Sequence, residues 1–89
     1  MIIYLIFVIN TIDAMSKKEI ENRIEYFYCC LGAFASRHCI SNAEAYRYLK
    51  SFKGLDFIDK FYEVEHTQSI EDSIEDMAIV CKKNGGTLS

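Results

Sequence analysis

Three serines, Ser16, Ser41 and Ser69, each stand three residues ahead of an acid, in Ser16-Lys17-Lys18-Glu19, Ser41-Asn42-Ala43-Glu44 and Ser69-Ile70-Glu71-Asp72. In such a capping box the serine oxygen accepts from the backbone N–H of the third helical residue. That residue's carboxylate reaches back to the serine's own N–H. Each signal precedes an apolar pattern of helical period, so each announces a helix. The Ser69 box is the weakest, because Asp reaches less far than Glu, although its charge still suits a helix N-terminus. Turn chemistry points the same way. The 89 residues hold no proline and only four glycines, at 32, 54, 85 and 86, too few for a turn-rich β topology. The expected fold class is all-α: a compact four-helix domain with short connections, plus an apolar N-terminal extension that the pattern leaves structurally open.

The first predicted helix covers 17–38, with Ile20, Ile24, Phe27, Tyr28, Leu31, Phe34 and Ala35 on its apolar face. The second, 42–52, buries Ala45, Tyr46, Leu49 and Phe52, and Gly54 is expected to stop it in a left-handed position. The third, 56–65, presents Phe57, Ile58, Phe61 and Tyr62. The fourth, 70–83, presents Ile70, Ile74, Met77, Ala78 and Cys81, with Lys82 and Lys83 where the dipole favours cations and Gly85-Gly86 beyond its end. Tyr26 and Tyr48 fall off these stripes and are expected in an exposed aromatic patch.

Residues 1–14, "MIIYLIFVINTIDA", read unlike the rest. The run Met1 to Ile9 is shorter than the roughly twenty residues a bilayer span needs. It also lacks the positive start and small-residue cleavage site of a signal peptide. It suits a buried strand or extra helical turns. Alternatively, Met15-Ser16-Lys17-Lys18-Glu19 is itself the translation start, with the leader not part of the native product. The expected organisation is an apolar leader at 1–14, one helical domain at 15–86 and a tail at 87–89.

The net charge of −3 is unevenly spread: residues 1–54 carry seven Lys/Arg against five Asp/Glu, and residues 55–89 carry three against eight. The total argues against nucleic acid, and the acidic half suits a basic protein partner. Of the cysteines at 29, 30, 39 and 81, adjacent Cys29 and Cys30 point to different sides of a helix and no Cys-x-x-Cys occurs, which fits free thiols in a reducing cytoplasm and argues against a secreted disulfide framework. Zinc would have to draw on Cys29, Cys30, His38, Cys39, His66 and Cys81 without either usual short spacing, so no metal is expected. No cofactor motif occurs.

Two segments bear on function. In "FYEVEHTQSIED", residues 61–72, His66 falls at a helix end just before the Ser69 cap. An imidazole there can cap terminal carbonyls, while Thr67 and Ser69 bond the local backbone, so an elbow between helices explains the segment. Catalysis would need a nucleophile, an orienting partner and oxyanion donors, and no such motif accompanies His66. The second predicted helix carries Arg47, Lys50 and Lys53 and imitates a helix-turn-helix reading element.

The series Glu44-Ala45-Tyr46-x-Tyr48-Leu49, Gly54-Leu55-x-Phe57-Ile58 and Tyr62-x-x-x-His66-Thr67-x-Ser69-x-Glu71-Asp72 resembles a family of small bacterial proteins known as a domain of unknown function. The resemblance spans about Ile20 to Gly86. Genes of that family tend to lie beside those of proteins resembling ADP-ribosyltransferase toxins, which implies an antitoxin-like or accessory role. It supplies no catalytic residues. The expectation is a cytoplasmic, non-enzymatic module that binds another protein, with Tyr62, His66, Glu71, Asp72, Glu75 and Asp76 as partner-binding residues. Self-association stays open. The alternative is a small DNA-binding regulator using the second helix.

Overall fold

The computed structural model describes residues 16–88. Within them the chain forms five helices: α1 (Lys17–Arg37), α2 (Asn42–Ser51), α3 (Gly54–Lys60), α4 (Tyr62–Glu65) and α5 (Ile70–Lys83). The expectations for residues 1–14 lie outside the described residues. All three serines cap as the sequence implies: Ser16, Ser41 and Ser69 side chains accept from the backbone N–H of Glu19, Glu44 and Asp72, each at 3.1 Å. The return bond that completes the box, from the serine N–H to the acid, forms at Ser41.

The helix ends use left-handed residues. Gly85 has φ +97°, and the Gly86 and Gly85 amides donate to the Cys81 and Lys82 carbonyls at 2.8 and 3.2 Å, closing a Schellman motif on α5. The same motif ends α1, where Ile40 and Cys39 amides donate to Ala35 and Ser36. There the left-handed residue is Cys39, φ 55°, a position that glycine would fill without steric cost.

At Gly54 the expectation is corrected. The left-handed residue after α2 is Lys53, φ 72°, and Gly54 is the first residue of α3. Gly54 is buried where α2, α3 and α5 meet. A Cβ placed on it would stand 2.7 Å from Leu49 Cδ2 and 2.8 Å from Cys81 Sγ. Close helix approach, not a positive φ, demands glycine at this site.

The third predicted helix is also corrected. It breaks at Phe61, which caps α3 and opens α4 with φ −107° and ψ 25°. No proline or glycine marks the break. The bend turns Tyr62 onto α1, where its ring meets Tyr26 edge-on at 5.5 Å, and leaves Phe61 43 % exposed.

The core consists of Cys30, Phe34, Ala35, Ala45, Leu49, Leu55, Ile58, Ile74, Met77 and Cys81, drawn from every helix except α4. Full burial of a large apolar side chain such as Phe34 or Leu49 contributes roughly 1.5–3 kcal/mol. α1 packs on α2 and α5, and α3 closes against α2 and α5. Ile24 and Tyr28, expected inside, lie on the side of α1 turned away from its buried Cys30–Phe34 face and are exposed at 52 % and 71 %, and Tyr46 on α2 is exposed at 43 %. Tyr26 and Tyr48, expected outside, are half-buried instead. Tyr48 stacks on Phe34 at 6.0 Å, touches Phe52 at 5.0 Å and accepts from the Leu88 amide at 3.2 Å.

Candidate functional site

The chemistry of the chain collects at the elbow joining α4 to α5. α4 is a single turn held by few backbone bonds, so side chains fix its direction. The His66 ring lies parallel to Tyr62 at 4.5 Å, and His66 Nδ1 is 2.6 Å from the Tyr62 carbonyl oxygen. A carbonyl only accepts, so Nδ1 carries the proton and donates. Thr67 Oγ1 donates to the Val64 carbonyl at 2.6 Å. Both side chains thus satisfy carbonyls at the end of α4, as a helix-capping role requires.

Tyr62 is held from a third side. The Arg23 guanidinium of α1 lies 4.3 Å from its ring centroid, a cation–π contact. Arg23 also pairs with Asp59 at 3.4 Å and Glu63 at 3.7 Å, so it ties α1 to both α3 and α4. Glu19, Asn22, Arg23, Tyr62, Glu63 and His66 line a cleft of about 370 Å³. The cleft contains an imidazole and two exposed carboxylates, but no serine, threonine or cysteine that the imidazole could activate as a nucleophile.

The six residues singled out from sequence separate into three settings. Tyr62 and His66 stack together in the cleft. Glu71 and Asp72 are exposed on the first turn of α5 and make no ion pair among the described residues, while Glu75 reaches Arg37 on α1 at 3.3 Å. Asp76 is half-buried and accepts from Gln68 Nε2 at 3.3 Å.

Behind Asp76 lies a residue that the sequence reading passed over. Glu65 is only 4 % exposed. Its Oε2 accepts from Gln68 Nε2 at 2.7 Å, and its Oε1 is buried without a hydrogen-bond partner. Burial raises the pKa of its carboxyl, and the hydrogen bond and negative charge of Asp76 add to that. Gln68 and Ser73 pull partly the other way. A signal for Glu65 was present: it follows Ile58 by seven residues and Tyr62 by three, on the inward stripe of α3–α4.

The neighbours of Glu65 form a polar seam between α1 and α5. Tyr26 Oη and Ser73 Oγ are 2.6 Å apart, and Ser73 Oγ donates to the Glu65 carbonyl at 3.1 Å. Burial pushes the Tyr26 phenol and the Cys30 thiol up, so neither ionises at neutral pH. Burial acts likewise on Cys81, partly countered by the Gly54 amide. All four cysteines are free, Cys29 and Cys39 at the surface.

Elsewhere, α2 exposes Arg47, while Lys50 lies 5.6 Å from the Tyr46 ring and Lys53 pairs with Asp56 at 3.9 Å. Among the described residues no group of three or more His, Cys, Asp or Glu side chains is placed to hold a metal ion, and no helix is long and apolar enough to cross a membrane.

A family described as "Protein of unknown function (DUF3791)" matches residues 25–84, which run from the first half of α1 to the end of α5, and the chain belongs to that family. No curated protein and no solved structure matches the chain.

Proposed function

We propose that this member of the family is a non-enzymatic, cytoplasmic protein-binding module that meets a basic partner through the acidic surface of α5 and its flanks. The observation that carries the reading is the placement of Glu71 and Asp72, exposed and without ion pairs among the described residues, beside Glu75 on one helix face. Charge of one sign concentrated on a surface steers a partner of the opposite sign and fixes its orientation. In the cleft, His66 is committed to a backbone carbonyl and Tyr62 to Arg23, which suits positioning better than turnover. The partner we favour is a toxin or effector of ADP-ribosyltransferase type, with the present chain acting as antitoxin or accessory.

The test is isolation of the protein from its native host at endogenous level, with co-purifying chains identified by mass spectrometry. Glu71→Lys combined with Asp72→Lys should release a stoichiometric partner while the helical circular dichroism persists. Full retention of that partner would sink the surface assignment. A second reading rests on α2, where Arg47 and the Tyr46–Lys50 pair are exposed together. If that face reads DNA, retention on DNA at low salt should disappear in Arg47→Ala/Lys50→Ala and fall steeply with salt.

A further inference from the structure

Glu65 is chemically incomplete. An ionised carboxylate has about four acceptor sites, and one this deeply buried ordinarily collects donors for most of them. Here Oε2 accepts from the Gln68 amide, Ser73 assists from α5 and Asp76 brings a second acid, while Oε1 has no hydrogen-bond partner among the described residues. The surrounding groups do not remedy this. α1 contributes the Tyr26 phenol and the Cys30 thiol, α5 contributes Ser73 and the Asp76 carboxylate, and the loop contributes Gln68. No cation is among them.

The same amide serves both acids. Gln68 Nε2 lies 2.7 Å from Glu65 Oε2 and 3.3 Å from Asp76 Oδ2, one neutral donor between two carboxyl groups. Gln68 itself is exposed, and Asp76 is half-buried at the rim. The arrangement therefore has an inner acid lacking donors, an outer acid in partial contact with solvent, and a small displaceable group across the pair.

We propose that the Glu65–Asp76 carboxyl pair receives a guanidinium side chain of the protein partner, which displaces the Gln68 amide and binds both acids at once. The inference rests on the protein-binding reading above and names the chemistry at its centre. A guanidinium carries five N–H donors in one plane, enough to span two carboxylates, and keeps its charge when desolvated. A hard divalent cation would want six or more oxygen ligands, and the described residues offer no third acidic or imidazole ligand nearby. Asp72, one turn before Asp76 on α5, adds an exposed negative charge on the same side of the helix, so the anchor has a charged rim there. Before binding, the neutral amide leaves the pair's charge unbalanced, which favours keeping a proton on Glu65. Arrival of the cation expels that proton to solvent, so binding tightens as pH rises.

The experiment uses the full chain and N-acetyl-arginine amide as probe, followed by NMR at the Gln68 side-chain amide and the Glu65 carboxyl carbon. The Gln68 signals should shift saturably, and the Glu65 titration midpoint should move down. N-acetyl-lysine amide at equal concentration should do much less. Gln68→Ala removes the competing amide and should tighten the arginine probe roughly five- to tenfold. Glu65→Gln should remove the response, and Gln68→Ala alone decides the matter if that variant does not fold.

Equal responses to arginine and lysine, equal shifts at Glu71 and Glu65, or weaker binding by Gln68→Ala would each overturn the proposal. The probe needs no partner. A negative result with the host partner still captured removes this anchor alone, whereas a positive result with no captured partner retains the guanidinium site and removes the antitoxin reading.

Discussion

Gly54→Ala tests the helix junction most directly. The added Cβ would stand 2.7 Å from Leu49 Cδ2 and 2.8 Å from Cys81 Sγ, about 1 Å inside an ordinary carbon contact. Leu49 and Cys81 are both fully buried, so neither has a free direction in which to yield. Overpacking of this kind costs about 1–3 kcal/mol. Alanine's helical advantage over glycine, about 0.5–1 kcal/mol, opposes it. The net expectation is a loss of about 1–2 kcal/mol, which for a domain of this size lowers Tm by roughly 5–15 °C.

Urea unfolding should show a lower midpoint at unchanged slope. A left-handed glycine would give a similar loss, so the single variant does not separate the two causes. The double variant Gly54→Ala/Cys81→Ala does. Removing Sγ relieves one of the two clashes, and the pair should be less damaging than the sum of the singles by about 1 kcal/mol. A neutral Gly54→Ala, or strict additivity in the double variant, would refute the close-approach argument.

Cys39→Gly should stabilise the protein by about 0.5–1 kcal/mol, because glycine adopts the left-handed end of α1 without the Cβ penalty; calorimetry checks it. Glu65 gives a pH signature. With its folded pKa raised, the folded state holds the extra proton, so that stabilisation is complete below the ordinary glutamate value and is lost as pH climbs through the folded value. Glu65→Gln should be the more stable protein at neutral pH, with the difference shrinking on acidification, and parallel stability curves would contradict this. Under native conditions an alkylating reagent should modify Cys29 and Cys39 quickly while sparing Cys30 and Cys81, which are buried and whose thiols burial pushes up. Peptide mapping reads the order.

The helical class was legible because it rests on local chemistry. Ser16, Ser41 and Ser69 mark three starts, Gly85-Gly86 marks one stop, and the predicted 70–83 helix coincides with α5 (Ile70–Lys83). Part of the candidate site was legible on the same basis. His66 bonds a carbonyl four residues back, an arrangement that a helix end alone can supply. Glu65 was not recognised, since its burial depends on α1 and α5 closing over it, thirty-nine residues and eight residues away in sequence at Tyr26 and Ser73 respectively.

Sequence by itself determined which segments coil, where most of them begin, and that acid accumulates in the second half. Those properties follow from propensity, caps and composition, which act within a few residues. Only the tertiary structure decided the break at Phe61, the exposure of Tyr28, the burial of Tyr48, the reason for Gly54 and the stranded oxygen of Glu65. Each depends on which helix crosses which, and at what distance. An apolar period identifies a face that can be buried, but the direction from which neighbouring helices pack determines how much of it is covered.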